Sequence, residues 1–256
     1  MIRGLYTAGT GMNVQTKRMD VISNDLANVN TTGYKKDDAV VSSFQEVLTY
    51  RMKDMQNNIP NNNAIGSMTL GARIDEIYTQ FAQGSLIKTD GLVDMALQGD
   101  GFFTVETPAG VAYTRDGKFS INADGELVTK EGYNVLGSNG IVEIGEDFLN
   151  NGGKLTVGEK GEITLDGAFI DQLELVSFDD NRQLTKREDN LYVTEGANAL
   201  PFEGTLIQGY TEASNVNPVT AMVDMITVSR AYETNQKMIQ VHDTLLGKAV
   251  NDVGRV

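Results

Sequence analysis

Between residues 5 and 29, apolar side chains recur at intervals of three and four: Leu5, Ala8, Met12, Met19, Ile22, Leu26 and Val29, with Gln15 as the polar interruption. That spacing keeps one narrow stripe on one helix face. The pattern returns near the other end in Ala221, Met225, Val228, Tyr232, Ile239 and Leu246, broken by Asn235 and His242. Pro218 suits the first turn of this second helix, with Asn217 or Asn215 as its cap. A stripe of this kind ordinarily lies on a globular core. Here both stripes are narrow and stand at opposite ends of the chain. Each needs a partner, either the other stripe or a copy of the same chain.

Residues 80–209 follow a different pattern. Asp-Gly occurs five times, at 90–91, 100–101, 116–117, 124–125 and 166–167, and this dipeptide accepts the positive φ angles of tight hairpins. Between the turns lie β-branched and aromatic runs such as "GFFTVETPAGVAYTR" and "GKLTVGEKGEITL". They predict a β-rich domain of short strands. Residues 46–79 hold an Asn-rich stretch around Pro60, then Gly66 and Gly71, and read as an extended linker. The expected fold class is α+β. Residues 1–45 and 210–256 form a terminal helical domain, paired like a coiled coil, and residues 80–209 form the outer β-rich domain.

Charge follows the same division. The 256 residues carry a net charge of −14. Residues 1–45 hold five basic and four acidic side chains, and residues 210–256 hold four and five. The whole excess therefore lies in the middle, and the ends are free of the long-range repulsion that would oppose close packing. An acidic surface argues against nucleic acid as a partner. No apolar run reaches the roughly 18 residues of a membrane span. The start, "MIRGLYTAGTGMNVQ", lacks the basic tip and apolar block of a cleaved leader.

Residues suited to catalysis are scarce. Cysteine is absent, which removes disulfides, thiolate metal sites and a Cys nucleophile. "QGDGFF" at 98–103 has no third glycine and no helix to follow, so it is a poor dinucleotide loop. "DDNRQLTKREDN" at 179–190 lacks the glycine and the final glutamate of a calcium loop. His242 is the single histidine and falls on the C-terminal stripe as a packing residue. A Ser-His-Asp triad has no Gly-x-Ser-x-Gly elbow to support it. No catalytic residue, metal or cofactor is expected.

"LANVNTTGYKK" at 26–36 closely resembles the signature that closes the N-terminal helix of flagellar rod and hook proteins, an Ala-Asn-x-Asn-Thr-x-Gly-Phe/Tyr-Lys run. "QGSLIKTDGLVDMALQGDGFFTV" (83–105), "YTRDGKFSINADGELVT" (113–129) and "GYTEASNVNPVTAMVDMITVSRAYETNQKMI" (209–239) resemble that family's further blocks, in the family's order. The resemblance covers nearly the whole chain. It implies a structural subunit of the flagellar basal body rather than an enzyme. It also implies secretion through the flagellar type III export apparatus without signal cleavage, and a place outside the cytoplasmic membrane. The implied partners are copies of itself in a helical torque-transmitting tube, other rod and hook proteins, and bushing rings around the rod. On the match, Asn28, Asn30, Thr31, Gly33 and Tyr34 make the turn out of the tube wall, and Asn and Gly accept the left-handed conformations that end helices. A long 46–79 segment favours a distal-rod subunit, with proximal-rod and hook subunits as alternatives. A peptidoglycan-cutting glycosidase is the rival reading, but residues 80–209 leave no room for an added catalytic domain.

Overall fold

The computed structural model describes residues 2–50, 55–56, 59–60, 64–145, 153–194, 196 and 198–253. By its contacts the chain divides into two compact units, one of residues 1–26, 37–78 and 218–256, the other of 27–36 and 79–217.

The first unit holds two long helices. The N-terminal helix runs Ile2–Ala27 and the C-terminal helix Pro218–Lys248, with a π-type turn at Ala249–Val253. At 1.5 Å per residue they are roughly 39 and 46 Å long. The apolar period predicts the first helix to Val29, but it stops at Ala27, and Val29 lies in the turn beyond. The expected linker carries paired strands. Asp37–Ser43 pairs with Ala72–Thr79, Val47–Tyr50 with Ala64–Met68, and Met55–Gln56 with Ile59–Pro60. Nested pairs of this kind satisfy backbone groups that an irregular connection would leave to water. Their side chains stay outward: Val40, Val41, Val47, Leu48, Tyr50, Ile77 and Tyr78 are all exposed.

The second unit is built on the strand Phe102–Thr107. It pairs with Gly110–Thr114, Asn134–Gly137 and Leu175–Phe178. Side chains alternate across a strand, so Phe102 faces one way and Phe103 and Val105 the other. Phe103 and Val105 join a core with Met95, Leu97, Leu127, Val135, Val142 and Ile163. Phe102 joins Val176, Phe178, Leu184 and Tyr192. The unbroken "FFTV" run is therefore what a strand covered on both faces requires. Phe81, Phe102, Phe178 and Tyr192 pack ring to ring at 5.2–5.7 Å, the tilted and edge-on spacing aromatic rings prefer.

Two of the Asp-Gly pairs turn hairpins. Asp166 (φ 50°) and Gly167 (φ 87°) are both left-handed and join Glu162–Leu165 to Ala168–Gln172. Asp124-Gly125 lies between Ser120–Ile121 and Leu127–Val128. The others serve different ends. At Gly117, for example, the missing side chain lets the backbone approach the Met95 carbonyl.

The β-rich unit is closed by segments from far along the chain. Met95–Gln98 pairs with Thr205–Gln208, and Leu86–Lys88 with Tyr210–Glu212. Residues 27–36 and 210–217, expected with the terminal helices, have their contacts here.

Candidate functional site

On the C-terminal helix, Val228 is 3% exposed, and Ala221, Met225, Tyr232, Ile239 and Leu246 are half-buried. The polar interruptions Asn235 and His242 are half-buried on the same face. On the N-terminal helix Ala8 is buried, and Leu5, Met12, Met19, Ile22 and Leu26 are half-buried. A side chain added at Gly4 would run into the His242 imidazole, and one at Gly11 into the Asn235 amide. Seven residues forward on one helix match seven back on the other, so the helices pass antiparallel. Glycine there makes room for the polar interruptions, and His242 is a packing group whose Nδ1 has no partner among the described residues. Val14, 5% exposed, is a covered residue that the stripe misses.

The pattern also misses two runs of exposed apolar residues. Val219, Met222, Val223, Ile226, Met238, Val241 and Leu245 on the C-terminal helix are 47–69% exposed. They fall in two runs: Met222 and Ile226 lie one step after the stripe, Met238, Val241 and Leu245 one step before it, and the polar residues Arg230, Glu233, Thr234 and Lys237 separate them.

The signature loop lies in the β-rich unit. Directly after the helix, the Thr31 amide donates to the Asn28 carbonyl and the Thr31 hydroxyl to Asn28 Oδ1, both at 3.1 Å. Asn30 is exposed. Gly33 takes φ 65°, and an added Cβ would overlap the Arg115 carbonyl and the Asp116 nitrogen. Only glycine meets both conditions. Thr32 donates to Asp116 Oδ1 at 2.5 Å, and Asn190 Nδ2 donates to the Thr32 carbonyl at 3.1 Å. The Lys186 ammonium sits 3.9 Å over the buried Tyr34 ring and donates to the Lys35 carbonyl at 2.7 Å, a cation–π contact that fixes both.

Beneath the loop lies a buried polar cluster. Lys35 is 0%, Glu212 1% and Arg115 3% exposed. Lys35 Nζ donates to Glu212 Oε1 at 2.6 Å and to the Ala82 carbonyl at 2.9 Å. Arg115 Nη1 donates to Glu212 Oε2 at 3.2 Å, and Nη2 to the Gly99 carbonyl at 2.5 Å. The Gly84 amide also donates to Glu212 Oε1, at 2.7 Å. One carboxylate thus serves two buried cations. Burial holds the Lys35 ammonium below the ordinary lysine range, against the pull of Glu212, and burial likewise lowers Arg115. Burial raises the Asp116 carboxyl, opposed by the hydrogen bonds from Thr32 and Lys118.

Asn215 belongs to this cluster. Its Oδ1 accepts from the Lys36 amide at 2.8 Å, and its Nδ2 donates to the Gln80 carbonyl at 2.8 Å. Its side chain is thus engaged by the loop, and Asn217, exposed, stands next to the helix start. Lys35, Arg115, Glu212 and Asp116 escape sequence reasoning because no local spacing pairs them. The visible hints are a lysine pair inside an otherwise neutral motif and a glutamate beside "ASNVNP".

This geometry offers anchoring and packing. Among the described residues no helix is long and apolar enough to cross a membrane, and no group of three or more His, Cys, Asp or Glu could hold a metal ion. Residues 5–35 match the family described as "Flagella basal body rod protein". Residues 96–165 match "Flagellar hook protein FlgE/F/G D1 domain", and residues 207–252 "Flagellar basal body rod FlgEFG protein C-terminal". The chain is 36% identical to the flagellar basal-body rod protein FlgG of Buchnera aphidicola subsp. Schizaphis graminum, over 97% of this chain and 98% of that protein. It is 32% identical to the hook-basal body complex protein FlhO of Bacillus subtilis and 33% to the rod protein FlgF of Caulobacter vibrioides, each over the full length of both chains. The two helices, the docked signature loop and these matches place the chain in one class: it belongs to the flagellar basal-body rod protein family. It is a structural protein and not an enzyme.

Proposed function

We propose that the protein is a subunit of the distal rod, which polymerises into a helical tube and carries torque from motor to hook. The two exposed apolar runs of the C-terminal helix carry this reading. That helix already turns one apolar stripe inward, and a further run of large apolar side chains left in water marks an interaction surface. The terminal helices pair along their stripes as a coiled-coil-like inner domain, and the two exposed runs pack on neighbouring copies. The interface residues are those of the two stripes together with Asn28, Asn30, Thr31 and Asn217, while Gly33, Tyr34 and Asn215, engaged within the β-rich unit, hold the loop that presents them. Other rod and hook proteins are the neighbours along the axis, and rings around the rod are its bushing. The protein works in the basal body, outside the cytoplasmic membrane, after passage through the type III export apparatus.

The FlgG names among full-length relatives and the length of the 46–79 segment favour the distal rod. The FlgF and FlhO relatives keep a proximal-rod or other hook-basal body position as the alternative. Electron microscopy of basal bodies with this subunit labelled separates these positions. Label on the distal half of the rod is the expected result, and label confined to the proximal end or to the hook overturns the distal assignment.

A further inference from the structure

The chain passes between its two units four times, after residues 26, 36, 78 and 217. Segments beside three of these passages meet within the β-rich unit. Residues 33–36 lie along residues 212–215: the Gly33 amide donates to the Glu212 carbonyl at 2.8 Å, and the Asn215 amide to the Tyr34 carbonyl at 3.4 Å. Residues 80–84 close the third side. The Gln80 amide donates to the Lys36 carbonyl at 2.8 Å, and the Ala82 carbonyl accepts from Lys35. The Glu212 carboxylate reaches all of it: Lys35 from the first segment, the Gly84 amide from the second, and Arg115 from the sheet behind.

We infer that this clamp is where load on the terminal helices enters the β-rich unit, with Glu212 as the positioning residue that ties the chain passages together. The inference rests on the reading of the protein as a torque-carrying rod subunit. Untied, each passage would peel away alone, one hydrogen bond at a time. Tied through one buried carboxylate, they separate only when several bonds break together. The cost of breaking is high because the groups are out of water: a buried charge stripped of its partner has no solvent to fall back on.

Two full-length variants test the clamp. Glu212→Gln leaves two buried cations without an anion. Lys35→Met keeps the apolar stem, leaves Arg115 and Glu212 as a balanced pair, and removes the loop's links to Glu212 and to the Ala82 carbonyl. Amide hydrogen exchange should quicken at Gly33 and Gly84 by about 100-fold in Glu212→Gln and by about 10-fold in Lys35→Met. The strand Phe102–Thr107 should keep its protection in Lys35→Met. If Glu212→Gln loses protection throughout the unit, Lys35→Met decides. Cells carrying Lys35→Met should swim in dilute medium and stall at a lower viscosity than the parent. Unchanged exchange at Gly33 and Gly84 in Lys35→Met overturns the clamp. Loosened exchange with an unchanged response to viscosity overturns its mechanical role. Cells that swim normally without this protein overturn the rod reading itself, whatever the exchange shows.

Discussion

The β-rich unit and the C-terminal helix use apolar residues in opposite ways. In the first, a six-residue strand has four consecutive buried positions, and Val105, Val135 and Tyr192 are wholly out of water. In the second, a 31-residue helix has one buried residue, Val228, while seven large apolar side chains stand roughly half exposed or more. The β-rich unit puts the apolar side chains of its central strands into its own core and leaves only scattered ones such as Leu92 and Phe169 exposed. The helix does not, and its remaining surface is available to another molecule. Stability should therefore be decided in one region and assembly in the other.

Substitutions can break or sharpen that division, ranked here by their effect on unfolding of the β-rich unit. Phe103→Ala removes a 1%-exposed ring that meets Phe119 edge-on at 5.0 Å. A loss of about 3–5 kcal/mol is expected in denaturant titration of the full chain, and a loss under about 1 kcal/mol would show the core to be loosely packed. Gly33→Ala comes next. The left-handed backbone and the overlap with Arg115 and Asp116 should cost about 2 kcal/mol or more, read in the same titration. A neutral result would mean that the signature loop does not dock.

Asp116→Asn should have a small effect of the other sign. The asparagine oxygen can still accept from Thr32 and Lys118, without a buried charge. Because burial raises the Asp116 carboxyl above its ordinary 3.8, the parent loses stability as pH rises through that raised value. The variant should be more stable at pH 7 by under about 1 kcal/mol, and the gap should close as pH falls to 3.8. A gap that widens in acid would reverse the assignment. Met225→Asp should leave the unfolding of the β-rich unit within about 0.5 kcal/mol of the parent. It should nevertheless abolish rods in electron micrographs and motility on soft agar. If this variant melts the β-rich unit, the helix stripe belongs to that fold and the division fails.

Local regularities made much of the fold legible in the sequence. Three-and-four spacing gave both helices, and Pro218 marked the start of the second. The "FFTV" run and the Asp166-Gly167 turn followed from rules that act within a few residues. What stayed hidden was long-range or masked by a stronger local pattern. Nothing near Lys35 announces Glu212. Met222, Val223 and Ile226 lie beside the Ala221–Met225 stripe, so the whole stretch reads as a generally apolar helix rather than two faces. The Asn-rich composition of residues 46–79 suggested an irregular linker, but the pairing of Val47 with Met68 and Thr49 with Gly66 depends on partners that composition does not reveal.

The clamp has a consequence for the order of events in folding. Lys35 and Glu212 are separated by 177 positions, and the strand pairs 86–88 with 210–212 and 95–98 with 205–208 also close very long loops. Loop-closure entropy must be met before such contacts return any energy, which makes them slow to form. Hairpins such as 102–107 with 110–114 need no such wait. The chain should therefore pass through a stage with its central strands paired and its two ends apart. It stays open until residues 205–215 arrive, and a nascent or travelling chain lacking that last segment has no means of locking itself shut.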